Sequence, residues 1–344
     1  MNASRDNSLD CVGAICVLFM IIGHAFQWSH TQSDDIYKFL QKILFFFMAF
    51  FFYKSGMFYN KTHIRDVLHK GVRKFLIPFL IYMLIGEFVR WVRLFVQEND
   101  TDWVHYVIYP FISIIGRGGP SGNVPLWFLL ALFSTQVIIA LADNLKVKRK
   151  FLFLVSFMVA GIGSVLQKNP PPLPLIPIIF EIANGIFFFL IGSYMRNYHF
   201  KKNIFWLSFF VYIATIVLVP SSIDFRKGSV SNGFWLIWVV SSVAGIILFI
   251  NIFRLPLFST FKLGIIGRFS MQFFCLHWVL FDFVCLVMGI QILEDGHVFG
   301  DFFTKEENYS LFFALCVSSM IVLPLYAFIV QRLKNRRITI AKYL

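Results

Sequence analysis

Charge is what this sequence has little of. Only 14% of its 344 residues are Asp, Glu, Lys or Arg, against roughly 25% in a soluble domain, whose surface must be wetted. That shortage excludes one soluble core of this size, or two. Cysteine is scarce as well. Cys11, Cys16, Cys275, Cys285 and Cys316 all fall in apolar runs, none at metal-ligand spacing, so neither a disulfide framework nor a metal site is expected. The first apolar run lacks a small-x-small cleavage site and carries Asp10 and His24. It reads as a span and not as a removable signal.

What is abundant is apolar. Hydrophobic residues make up 58% of the chain and phenylalanine alone 45 positions, which excludes disorder and fits an all-α polytopic membrane protein. Ten segments are long enough for a core about 30 Å thick. They lie near 9–28, 36–58, 75–96, 124–142, 150–167, 174–195, 203–220, 233–253, 264–290 and 310–331, the fifth and seventh being short. The basic, interrupted stretch 60–74 is expected along the membrane surface. The stretch 103–116 is too short to span and is expected to be interfacial or re-entrant. The whole chain, 1–344, reads as one membrane-embedded domain with a short basic tail at about 332–344.

The net charge of +13 invites nucleic acid in a soluble protein. In a membrane protein it is first an orientation signal. With the N-terminus inside, 22 of the 31 Lys+Arg fall on the inner side, so both termini are expected in the cytoplasm and no nucleic-acid partner is expected. No internal repeat is visible, which counts against a transporter built from two matching halves.

Ionisable residues inside spans are expensive and mark candidate sites. His24 lies about 22 Å along the first helix, at about 1.5 Å per residue, in the outer third of the core. It is either a packing histidine or a general base. Asp10 sits at the inner mouth of that helix, where Arg5 could pair with it. Glu87 and Arg90 stand i and i+3 and can pair on one face. Glu181 stands alone in the sixth span. His277 and Asp282 in the ninth span are five apart, on its flanks, and His277 could meet the first helix. Lys70 and Arg73 share a helical face beside Lys74, serving either as inner-side anchors or as phosphate ligands.

Arg5…Ser8-Leu9-Asp10 followed by Ile22-Gly23-His24 resembles the first helix of the membrane-bound acyltransferase-3 family. Phe45-Phe46-Phe47-Met48…Ser55-Gly56, Lys70-x-x-Arg73 before Pro78, Leu126-Trp127-Phe128-Leu129, Phe187 to Gly192 with Arg196, and Gly267…Ser270…Leu276-His277 resemble its later motifs, in order and over nearly the whole chain. The aromatic second helix is most similar to the fucose O-acetylase-like branch. Lys70 stands where the family often has arginine, and Lys54 where an apolar residue is usual.

The resemblance implies an O-acetyltransferase of the cell (inner or plasma) membrane. It implies transfer of an acetyl or other acyl group from cytoplasmic acyl-CoA to a sugar hydroxyl of an extracytoplasmic polysaccharide or lipid-linked glycan. It makes His24 the catalytic residue, acting as general base or as transient acyl acceptor. Arg5, Lys70, Arg73 and Lys74 become the ligands of the acyl-CoA phosphates, with Asp10, Trp127, Glu181 and His277 in support. Acetyl-CoA would be a co-substrate, with no permanently bound cofactor and no metal. Membrane lipid surrounds the chain, and a homo-oligomer stays open. The competing readings are a proton-coupled secondary transporter or polysaccharide exporter, and an assembly subunit with a degenerate site.

Overall fold

A computed structural model describes residues 7–98, 103–166, 176–196, 202–218, 223–224, 229–230, 235–255, 257, 263–294, 302–304 and 306–343. Among these, nine stretches are helical, long and apolar enough to cross a membrane, and Asn203–Ile216 is a shorter apolar helix. These ten correspond to the ten expected segments, the short one being the expected seventh. The fold is all-α and polytopic.

The helices are α1 (Asn7–Trp28), α2 (Asp35–Leu44), α3 (Phe47–Met57), α4 (Ile64–Gly71), α5 (Ile77–Arg93), α6 (Tyr109–Arg117) and α7 (Trp127–Asn144). They continue with α8 (Arg149–Leu166), α9 (Ile176–Met195), α10 (Lys202–Ile216), α11 (Trp235–Arg254), α12 (Leu263–Arg268), α13 (Ser270–Met288) and α14 (Tyr309–Tyr343). Two antiparallel pairs of two-residue strands, Ile223–Asp224 with Ser229–Val230 and Leu293–Glu294 with Phe302–Phe303, lie in connections.

Helix α1 is apolar all round and buried along most of its length, the expected fate of a helix without a polar stripe. It packs against α3, α11, α12, α13 and α14. The approach to α12 is backbone on backbone: a β-carbon on Gly267 would overlap the Asp10 carbonyl. Small residues at such crossings bring membrane helices together. At the C-terminal end of α1, the connection after Phe303 is laced to the chain. Thr304 N donates to Trp28 O at 3.0 Å and Asn308 N to Ser29 O at 2.9 Å.

Residues 64–71, expected along the surface, form a helix that runs through a π-helical turn, Val72–Leu76, directly into α5. The basic segment is therefore continuous with the helix of the third span. Helix α6 has only nine residues, about 13 Å at 1.5 Å per residue, too short to span. It ends on Gly118 at φ +75°, a left-handed position that favours glycine. The chain then forms a 3-10 turn, Ser121–Leu126, that is wholly buried. Irregular backbone inside a membrane bundle is tolerated where protein covers it, and here it is covered by α5 and α13.

Candidate active site

Helices α1 and α13 meet at a polar point. His24 Nδ1 lies 2.8 Å from His277 Nε2, with the rings nearly parallel and their centroids 5.0 Å apart. A helical side chain leans back over the turn before it. His277, 0% exposed, accordingly sets its Nδ1 2.8 Å from the Phe274 carbonyl and 3.2 Å from that of Phe273. A carbonyl oxygen can only accept, so His277 Nδ1 carries the proton. With both rings neutral, His277 Nε2 then holds a lone pair, and His24 Nδ1 donates to it. The lone pair of His24 therefore resides on Nε2. Two main-chain carbonyls on one helix thus decide which nitrogen on another helix is basic. Trp278 stands edge-on to His24 at 5.2 Å and Phe281 edge-on to His277 at 5.7 Å, giving the pair an apolar enclosure.

Helix α13 is tied down on both sides of His277. Two residues before it, the Cys275 carbonyl accepts from Asn123 Nδ2 at 2.8 Å. Five residues after it, Asp282 Oδ1 accepts from Arg93 Nε at 2.9 Å, both side chains being buried. Arg93 belongs to a ladder on α5, with Arg90 and Glu87 about one and two turns earlier. Glu87 accepts from Gly122 N at 2.7 Å and from the Ser121 hydroxyl at 2.9 Å, and pairs with Arg90 at 3.7 Å as the i, i+3 spacing predicted. The Arg90 guanidinium also lies over the Tyr109 ring, 5.3 Å from its centroid. The carboxylate can reach the 3-10 turn because Gly86 and Gly122 touch backbone to backbone, where a β-carbon on either would overlap the other strand of chain. Buried charges of this kind hold only when paired and hydrogen-bonded.

At the Asp10 end of the bundle a cavity of about 460 Å³ opens between α3, α4, α7 and α13. Lys54, Lys70 and Lys74 line it. Lys54 Nζ donates to Asp10 Oδ1 at 3.0 Å and to the Leu9 carbonyl at 3.3 Å, and Arg268 Nε lies 3.6 Å from the other Asp10 oxygen. Gln136 Nε2 donates to the Ser55 hydroxyl at 2.8 Å on the same wall. Phe51, Phe128 and Phe274 line the cavity too, and His277 follows Phe274 by one turn of α13. Beside the mouth, Tyr59 donates to Asp143, which also takes a two-pronged contact from Arg149 at 2.8 and 3.1 Å. Burial, and after it the neighbouring Asp143 carboxylate, push the Tyr59 phenol up to about 12, so it stays a neutral donor there.

The sequence-predicted residues fall into three groups. His24 and His277 form the pair. Lys70 and Lys74 line the cavity, and Asp10 is tied to it through Lys54 and engaged also by Arg268. Arg73 is exposed and is not among the residues lining the cavity, and Arg5 lies outside the described residues. Trp127 and Glu181 gather around Gly118: a β-carbon there would stand 3.3 Å from Glu181 Oε2 and 3.4 Å from Trp127 Cβ. Sequence reasoning missed Lys54 as a cavity cation, although a lysine inside an aromatic span was the available signal. It also missed Asn123, whose contact is made only through the buried 3-10 turn.

No curated protein and no solved structure matches the chain. The acyltransferase domain of the acyltransferase-3 family matches residues 6–329. With its motifs carried on apolar helices and its two histidines joined across the bundle, the chain belongs to this family of membrane acyltransferases.

Proposed function

We propose that the protein is an O-acetyltransferase of the cell membrane that takes an acetyl group from cytoplasmic acetyl-CoA. The acceptor is a sugar hydroxyl of an extracytoplasmic polysaccharide or lipid-linked glycan. The observation that carries the reading is the 2.8 Å bond between His24 and His277, one helical turn beyond a lysine-lined cavity. An anionic donor suits Lys54, Lys70 and Lys74, with Arg73 serving its phosphates from outside the cavity and Arg5 kept as a further phosphate ligand. In this reading both termini and the cavity face the cytoplasm, as the charge asymmetry favours. Trp127 and Glu181 stand for the acceptor side.

The chemistry follows from the tautomer. His24 Nε2, holding the lone pair, takes the proton of the acceptor hydroxyl. The sugar oxygen attacks the thioester carbonyl, a C–O bond forms and the C–S bond breaks. The coenzyme thiolate leaves and recovers the proton from His24. While His24 is cationic, its Nδ1–H stays hydrogen-bonded to His277 Nε2, which stabilises the charge. An acyl-histidine intermediate would use the same Nε2.

The test is label transfer from radiolabelled acetyl-CoA to glycans by the purified protein in detergent, with His24→Ala beside it. Incorporation lost with His24 is the expected result. Movement of glycan or solute across vesicles without acylation would establish the transporter reading instead.

A further inference from the structure

The cavity does not open onto the histidines. Between them stands a row of phenylalanine rings in contact, Phe51 to Phe128 at 5.8 Å and Phe128 to Phe274 at 5.1 Å between centroids. Phe274 in turn stands 6.2 Å from the His277 ring. Phe128 and Phe274 are 7% and 4% exposed. Phe52 braces Phe128 from behind at 5.2 Å. All three rings of the row also line the cavity. Any acyl group that reaches His24 from the lysines must therefore be accommodated against these rings. Packed aromatic rings give way by rotation to small groups, and resist each added methylene as overpacking does. Beyond them, Trp278 and Phe281 stand edge-on to the pair.

We propose that Phe128 and Phe274 set the donor's acyl length, restricting it to the shortest acyl thioesters. They are specificity-determining residues and take no part in proton transfer. The inference rests on the acyl-CoA reading above and adds to it the class of donor. The side chain of Phe274 bounds the acyl group while its carbonyl holds His277, so the size limit is built into the same turn that orients the base.

The experiment compares acetyl-CoA with butanoyl- and hexanoyl-CoA as donors for the purified protein, in kcat/KM ratios. Wild type is expected to prefer acetyl, each methylene costing at least about tenfold. Phe274→Ala and Phe128→Ala are expected to raise the hexanoyl-to-acetyl ratio at least about tenfold, and Phe274→Leu and Phe128→Leu by less. Phe187→Ala, a buried ring packed on Phe153 and Phe157 instead, should leave the ratio unchanged. If an alanine variant is not monodisperse, the leucine variants and the wild-type donor series decide. A wild type that uses hexanoyl-CoA as well as acetyl-CoA would overturn the inference, and so would an unchanged ratio in the folded variants. Failure of wild type to bind coenzyme A or transfer any acyl group would instead overturn the donor reading on which it rests.

Discussion

His24 and His277 lie 253 positions apart in the chain, yet their facing ring nitrogens stand 2.8 Å from one another. The bond is one-directional, because the other nitrogen of His277 is committed to the carbonyls of Phe273 and Phe274. Replacing His277 with alanine removes the group that sets the tautomer and leaves the lysine-lined cavity intact. The expected loss is about 10²- to 10⁴-fold in kcat, with little change in KM for acetyl-CoA. His24→Ala should lose at least as much. Because the two act as a unit, the double variant should be little worse than His24→Ala alone. Steady-state kinetics on the four proteins checks this, and additive losses would show that the two rings act independently.

The cavity lysines make a separate prediction. Removing one charge-assisted contact to a phosphate costs about 1.5–3 kcal/mol, or about 10- to 150-fold in affinity. Lys70→Ala and Lys74→Ala should weaken coenzyme A binding in that range, measured by calorimetry in detergent. Lys54→Met should do the same. The effect of Arg73→Ala should be smaller, since that residue is absent from the cavity wall. Equal losses at Arg73 and at the three lysines would move the phosphates out of the cavity.

The pair Arg93–Asp282 is a stability element. Removing one member strands a buried charge, at a cost of about 3–5 kcal/mol. Asp282→Ala should therefore lower the thermal midpoint in detergent sharply. Asp282→Leu combined with Arg93→Met should recover much of it, because an apolar pair of similar volume avoids the desolvation penalty. A double variant as unstable as the single one would mean that the charges themselves are needed.

Gly267 makes the fourth. Any side chain there meets the Asp10 carbonyl, which is backbone and cannot rotate away. Gly267→Leu should separate α12 from α1 and lose monodisperse protein on size exclusion. Gly23→Ala, on the same α1 but with nothing within 4 Å of its β-carbon position, should be recovered normally.

The spans were legible because period and length suffice to read them: apolar runs near 20 residues leave no other solution in a membrane. His24 was legible because an imidazole in lipid is costly enough to stand out. The Glu87–Arg90 pair followed from helical spacing alone. Other features depended on contacts that spacing does not encode. Asp10 took Lys54 and Arg268 as partners, from α3 and α12, and no local pattern announces partners on other helices. The 3-10 turn around Asn123 reads in sequence as the start of a span. Its burial depends on two glycines, 86 and 122, that meet only after folding. Lys70 and Lys74 could not be separated from Arg73 by charge, because the cavity that the two lysines line is assembled from α3, α4, α7 and α13, which no local pattern announces.

Phe274 divides its labour between two kinds of atom. Its carbonyl, which every amino acid owns, keeps His277 in the working tautomer, and its ring, which only the codon specifies, touches the cavity. Drift at this position can therefore remodel the wall of the lysine-lined cavity while the hydrogen-bonded histidine pair next to it is inherited unaltered. Descendants of one such gene can diverge in what they carry without having to reinvent how they transfer it.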